Sequence, residues 1–439
     1  MKKVLAILLA GMMTATALAG CGGSSESTAS SQGSGSAASG GSVAADGKVD
    51  ASMFGSETDI TLKVWAPDKG VKLAKEQVEK FKKMYPDVKF KKIDVVAQGE
   101  NDAATQIVND PNKAADVFSF PSDQFNKLDD AEALAPVATA LKDSVSKNND
   151  PKTVDAATMD GKLFAYPETN DNGYYLVYDK RVVTDENAKT LEGVLKACKD
   201  NKKEFIMDCG NGYYSCTFAF TAGAIIDGFE EDGETQKFKE YDEDEAVETL
   251  MAFARLMKEY KGTFKSLDPA QITSGFQNGT LGAGVDGSWN SKADEDALGE
   301  NYGVSALPTI NVNGKDKQLI SMFGYKYIGV NAKTKFPRSA QILANYLAGE
   351  ECQIERAKQL GWGPSNLKAQ EDEAVKGSAT LQAIAAQSKN AVAQVNIQGT
   401  FWQAMGTLGS EMLKDGWDPE NKDATKKLLQ GTIKDVRDE

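Results

Sequence analysis

ITLKVWAPDKGVKLAKEQVEKFKKMYP, Ile60–Pro86, carries the pattern from which the fold of this chain is read. Ile60, Leu62 and Val64 alternate with polar residues, the period of a half-buried strand. Pro67-Asp68-Lys69-Gly70 is a turn, and Val71, Ala74, Val78, Phe81 and Tyr85 then recur at helical spacing. That helix is expected to stop before Pro86, because the residue ahead of a proline is driven out of the helical region. Working outward, a second strand is expected over Val88–Val96 and a helix near Glu100–Asn109. A third strand follows at Asp116–Phe120, with a turn and a short helix behind it. The order β-α-β-α-β at this spacing predicts a parallel α/β sheet, whose ligands sit beyond the carboxyl ends of the strands. The loops Asp68-Lys69 and Phe120–Gln124 lie at those ends. Further along, Val247, Leu250, Ala254 and Met257 mark a helix over Asp244–Tyr260, and Leu281–Val285 and Tyr325–Val330 read as strands. No internal repeat is visible. The acidic runs Glu230–Glu234 and Asp242–Glu245 read as solvated turns.

Composition narrows the function. The chain has 439 residues, more than one ordinary domain of about 100–200. Hydrophobic residues at 41% and charged residues at 26% suit a soluble chain with a real core. Lys+Arg 50 against Asp+Glu 64 gives a net charge of −14, which opposes binding to a phosphate backbone. The absence of histidine removes His-dependent triads, His-ligated zinc and imidazole proton shuttles. No cofactor is called for, and no metal-ligand set stands out.

The amino terminus reads as an address. Met1-Lys2-Lys3 precedes an apolar run from Val4 that is too short for a membrane span and ends in Leu18-Ala19-Gly20-Cys21. Leu18–Cys21 resembles a bacterial lipobox, which implies a lipoprotein signal peptide over 1–20 and acyl chains on Cys21 that hold the protein to the cell membrane. From Gly22 to Gly47, 21 of 26 residues are Gly, Ser or Ala, the composition of a flexible tether; residues 21–56 are assigned to lipidated cysteine and tether. Cys198, Cys209, Cys216 and Cys352 remain. Export permits disulfides, but no Cys-x-x-Cys occurs and a domain this large needs no staples, so buried free thiols are favoured.

Five segments in order then resemble one family. They are Ile60–Gly70 (ITLKVWAPDKG), Asp116–Phe125 (DVFSFPSDQF) and Gly161–Lys180 (GKLFAYPETNDNGYYLVYDK), followed by Phe276–Pro308 with its FQNGTLGAGVDGSWN and NYGVSALP, and Thr400–Met405 (TFWQAM). Together they are similar to the maltose/maltodextrin-binding proteins, carbohydrate-type extracellular solute-binding proteins of bacterial ABC importers. The resemblance implies a two-lobe periplasmic-binding-protein fold of class α/β, with discontinuous lobes and a hinged interlobe cleft. The lobes implied are 57–167 with 323–375 and 168–322 with 376–439, with crossovers near Pro167–Tyr174 and Pro308–Met322. It further implies an extracytoplasmic, lipid-anchored, monomeric receptor, not an enzyme. Its ligand would be a maltodextrin-type α-glucan oligosaccharide, passed to the transmembrane subunits of an ABC permease.

A pyranose presents an apolar C–H face ringed by hydroxyls, so its site calls for flat aromatics and polar groups that orient each hydroxyl. By family position the platforms are Trp289, Trp402 and Phe120, and the polar contacts Asp68, Lys69 and Asp123, with Tyr213 (or its neighbour Tyr214) as the cleft tyrosine. Three charged family groups correspond to Gln124, Asn172 and the Asn211-Gly212 pair, which puts the choice of glucan in doubt more than the sugar class. Gly282–Gly287 fits G-x-G-x-x-G, but Ser288-Trp289-Asn290 follows directly and Leu307-Pro308 stands where a dinucleotide site needs an acidic residue. The doublets Tyr174-Tyr175 and Tyr213-Tyr214 keep a ferric-ion site as one alternative. A retaining glycosidase, which needs two carboxyls about 5–5.5 Å apart, is another. A different oligosaccharide or a polyol is the third.

Overall fold

The computed structural model describes residues 49–438. The signal peptide, Cys21 and the tether as far as residue 48 lie outside the described residues. β1 (Ile60–Ala66) leads through Asp68–Gly70 into α1 (Val71–Met84), β2 (Phe90–Ala97), α2 (Glu100–Asn109) and β3 (Val117–Pro121). β1 pairs in parallel with both β2 and β3. α1 buries Leu73, Val78 and Phe81 against this layer and ends one residue before Tyr85, as the proline at 86 requires.

β4 (Ala165–Asp179) is the long strand that joins the two halves. Beyond it come β5 (Glu204–Ile206), α3 (Gly212–Thr221), α4 (Glu243–Glu259), β6 (Phe264–Lys265), β7 (Leu281–Gly287) and β8 (Tyr302–Ser305). β9 (Ser321–Val330) returns to the first half, followed by α5 (Glu350–Leu360), β10 (Ala391–Ala393) and α6 (Phe401–Met412). The ten strands form one sheet in the order β6-β5-β7-β4-β9-β3-β1-β2, with β8 on β4 and β10 on β9. The sheet is mixed rather than purely parallel, because β9 runs antiparallel to both β3 and β4, and β7 antiparallel to β4.

Two apolar cores flank the β4–β9 pair. One gathers residues 49–166 and 325–348 around Phe81, Phe118 and Tyr327. The other gathers 174–322 and 392–436 around Phe218, Phe253 and Phe401. β4 and β9 contribute to both, so they are the strands that cross between the halves. The second crossing therefore falls at Ser321–Val330. Most of Pro308–Met322, expected to cross, instead folds as a hairpin of Thr309–Val312 with Lys315–Gln318, whose Ile310 is buried in the second core.

The tether also ends earlier than residue 56. Ala51–Phe54 forms a 3-10 turn capped by Asp50, and the Phe54 ring packs at 4.9 Å from Tyr85 and 5.8 Å from Phe90. One aromatic is enough to bind this segment to the first core. Cys198, Cys209, Cys216 and Cys352 are free and buried, and burial pushes the Cys198, Cys216 and Cys352 thiols up to about 12. No helix among the described residues is long and apolar enough to cross a membrane.

Candidate functional site

The carboxyl ends of β1, β3 and β7 open on a cleft of 690 Å³. Eight of the nine expected contact residues line it: Asp68, Lys69, Asp123, Gln124, Asn172, Tyr213, Trp289 and Trp402. Phe120 does not. Its ring is fully buried in the first core, 5.5 Å from Phe118 and 5.7 Å from Tyr327. β3 is buried along its whole length, so neighbouring Pro121, not Phe120, reaches the cleft wall.

The aromatic wall is built around Tyr213, at the start of α3. Its ring lies 5.9 Å from Trp289 and 6.4 Å from Trp402, both half-buried, and its hydroxyl donates to the Asn172 carbonyl at 3.1 Å. Trp289 lies over its own backbone: a Cβ on Gly287 would come within 2.2 Å of the indole, so only glycine leaves room there. Trp402 opens α6, where Phe401 plugs the second core and turns its neighbour outward.

The polar wall is a chain of amides around one carboxylate. Asn172 Nδ2 donates to Gln394 Oε1 at 2.7 Å, and Gln394 Nε2 donates to Asp123 Oδ1 at 2.8 Å. Gln124 Nε2 donates to Asp123 Oδ2 at 2.6 Å. Burial pushes Asp123 up to about 6, against the lowering effect of these amides and with added repulsion from Glu100. Opposite, Lys69 donates to the Trp289 carbonyl at 3.3 Å and to Asn290 Oδ1. Asn290 is oriented in turn by Asp286 Oδ1, which accepts from its Nδ2 at 2.7 Å and from Gly287 N–H at 2.7 Å. Burial and the Asp294 carboxylate drive Asp286 well above the usual carboxyl range.

The lining residues not reached from sequence include Glu100, Lys326, Trp362 and Gln394. Trp362 follows Gly361, which ends α5 at φ +75, a left-handed turn that favours glycine. The single signal for it was a tryptophan between glycines in Gly361-Trp362-Gly363-Pro364. Lys326 sits in a segment read only as a strand, and Gln394 follows a short strand, β10, that had no reading from sequence.

Gly282–Gly287 lies within strand β7, not in a strand-to-helix loop. Tyr174 shares a hydrogen bond with Thr217 at 2.7 Å and Tyr175 with Tyr302 at 3.4 Å, and both phenols are fully buried outside the cleft lining. Among the described residues no group of three or more His, Cys, Asp or Glu is placed to hold a metal.

Comparison with known proteins agrees with this architecture. A family profile described as bacterial extracellular solute-binding protein matches residues 76–383. The galactooligosaccharide-binding protein of Bacillus subtilis (strain 168) is 28% identical over 361 residues, 78% of this chain and 81% of that one. A maltooligosaccharide ABC transporter solute-binding lipoprotein of Streptococcus pneumoniae is 26% identical over 301 residues, 66% of this chain and 69% of its own. The structure of maltodextrin binding protein MalE1 from L. casei BL23, solved without ligand, superposes with a TM-score of 0.71 at 24% identity. That match covers 87% of this chain and all of the other.

Proposed function

We propose, for a chain that belongs to the bacterial extracellular solute-binding proteins, that its cargo is a maltodextrin-type α-glucan oligosaccharide held between the lobes and released to an ABC importer. The observation that carries this is the juxtaposition of Trp289, Trp402 and Tyr213 with the Asp123–Gln394–Asn172 amide chain across one cleft. Flat rings take the C–H faces of successive glucoses, and the amides and carboxylate take their hydroxyls. The proposed lobes are 57–167 with 323–375, to which the Ala51–Phe54 turn adds, and 168–322 with 376–439. Contacts made by both to one ligand favour the closed form. Binding and transfer, without bond cleavage, is the role. The lipobox at Cys21 and the lipoprotein relative support lipid anchoring on the outer face of the cell membrane. Release of a Cys21→Ser chain from the membrane fraction is the check; a Cys21→Ser chain that stays with the membranes overturns it.

The soluble form that starts after the tether is expected to bind maltose, maltotriose and maltoheptaose saturably in calorimetry, and not cellotetraose. Silence across the α-linked series sinks the glucan reading. The galactooligosaccharide-binding relative favours a second cargo class, so galactooligosaccharides belong in the same screen. Repeated at pH 5, the titration should show affinity about tenfold weaker than at pH 7.5. A proton with pKa about 6 on Asp123 competes with the sugar hydroxyl that its carboxylate accepts. Asp123→Asn should flatten this profile, and an unchanged slope would remove Asp123 from the contact set.

A further inference from the structure

Lys326 is the one charged residue in β9, the returning crossover strand, and it faces the cleft while its neighbours Tyr325 and Tyr327 face elsewhere. Its side chain is only 7% exposed. The ammonium donates to Glu100 Oε2 at 2.8 Å and lies over two indoles, 5.5 Å from the centre of Trp289 and 5.3 Å from that of Trp362. Glu100 is its one hydrogen-bond acceptor among the described residues. A buried ion pair is a poor way to stabilise a sheet, since apolar side chains of similar volume do as well or better. A cation at the meeting point of both halves therefore calls for another role. Burial alone would lower its pKa, but Glu100, Asp171 and Glu168 outweigh that and keep it charged.

We propose that Lys326 is a ligand-binding residue at the cleft floor, giving an N–H to a hydroxyl oxygen of the sugar held between the lobes. The inference rests on the sugar-receptor reading above. Glu100 fixes the ammonium, and its other oxygen lies 2.9 Å from Ser119 Oγ, so the donor is held in place before the sugar arrives. The two tryptophans shield it from water, which strengthens a charged donor toward a neutral acceptor.

The test is calorimetry of maltotriose and its monodeoxy analogues with wild type, Lys326→Met and Lys326→Arg. Lys326→Met keeps the stem and is expected to bind maltotriose about tenfold more weakly, the effect of one charged hydrogen bond. Lys326→Arg should stay within about threefold of wild type. One deoxy analogue that costs wild type about tenfold should cost Lys326→Met nothing more, a coupling that a merely structural lysine cannot produce. Wild-type affinity in Lys326→Met, or the same deoxy penalties in both proteins, overturns the assignment. If Lys326→Met does not fold, Lys326→Gln, a neutral donor, takes its place under the same criteria. Wild type silent to every maltooligosaccharide would instead overturn the sugar reading itself.

Discussion

Trp289→Ala is expected to weaken binding of maltotriose by about 100-fold or more, the loss typical of a large aromatic at the centre of a desolvated contact. The indole is a platform rather than a core plug. It is half-buried, flanked by Tyr213 at 5.9 Å and by the Lys326 ammonium at 5.5 Å. Removing it deletes the flat surface and lets water reach the Lys326–Glu100 pair, so stacking and charged hydrogen bonding weaken together. The backbone beneath should survive, because Asn290 remains tied to Asp286 and Gly287 needs no side chain to hold its place. Near-wild-type circular dichroism and melting temperature should therefore accompany the lost affinity. Trp402→Ala should follow in the same direction but less steeply, since Trp402 sits at the edge of the cluster, 6.4 Å from Tyr213. A Trp289→Ala protein that binds within threefold of wild type would remove Trp289 from the platform and shift the stacking to Trp402 and Trp362.

The balance between what the residues disclosed and what they hid follows from locality. α1 and α2 were legible because each carries one apolar stripe bounded by a turn and by Pro86 or Gly99, signals contained within a dozen residues. The cleft loops were legible because parallel strands aim their carboxyl ends at one edge, which placed Asp68, Lys69, Asp123 and Gln124 together. Phe120 failed for a physical reason. β3 is buried on both faces, so the alternation that distinguishes core from cleft is missing, and the wall was occupied by Pro121. Lys326, Trp362 and Gln394 were hidden because their meeting is non-local. Gln394 reaches Asp123 from 271 positions away, from the end of a short strand that pairs with the start of β9. No periodicity within any window reports such a convergence.

Arg356→Met is expected to lower folding stability by about 3–5 kcal/mol at neutral pH, the cost of leaving a buried carboxylate without its cation. Arg356 and Glu168 are 6% and 4% exposed, and Arg356 Nε lies 3.2 Å from Glu168 Oε1. Arg356 also donates from Nη2 to the Leu347 carbonyl at 2.7 Å, which ties α5 to the helix before it. Burial raises the Glu168 pKa and the Arg356 charge pulls it back; without the arginine the pKa climbs further. The sign of the pH dependence follows. A carboxyl with a raised pKa binds a proton in the folded chain at a pH where the unfolded chain has lost it. Stability therefore rises as pH falls through the folded value, and the variant's deficit is greatest above that value. Urea unfolding of Arg356→Met should show a larger loss at pH 8 than at pH 5. Adding Glu168→Gln should recover much of it, since a neutral amide still accepts the Ser119 hydroxyl that Glu168 takes at 2.5 Å. A deficit equal at both pH values, and unrelieved by Glu168→Gln, would trace the damage to lost packing. This pair joins β4 to the helix that delivers Trp362, and Ser119 connects it onward to Glu100 and Lys326. The double variant should thus regain stability yet bind sugar more weakly than wild type, separating the charge that holds the fold from the geometry that holds the ligand.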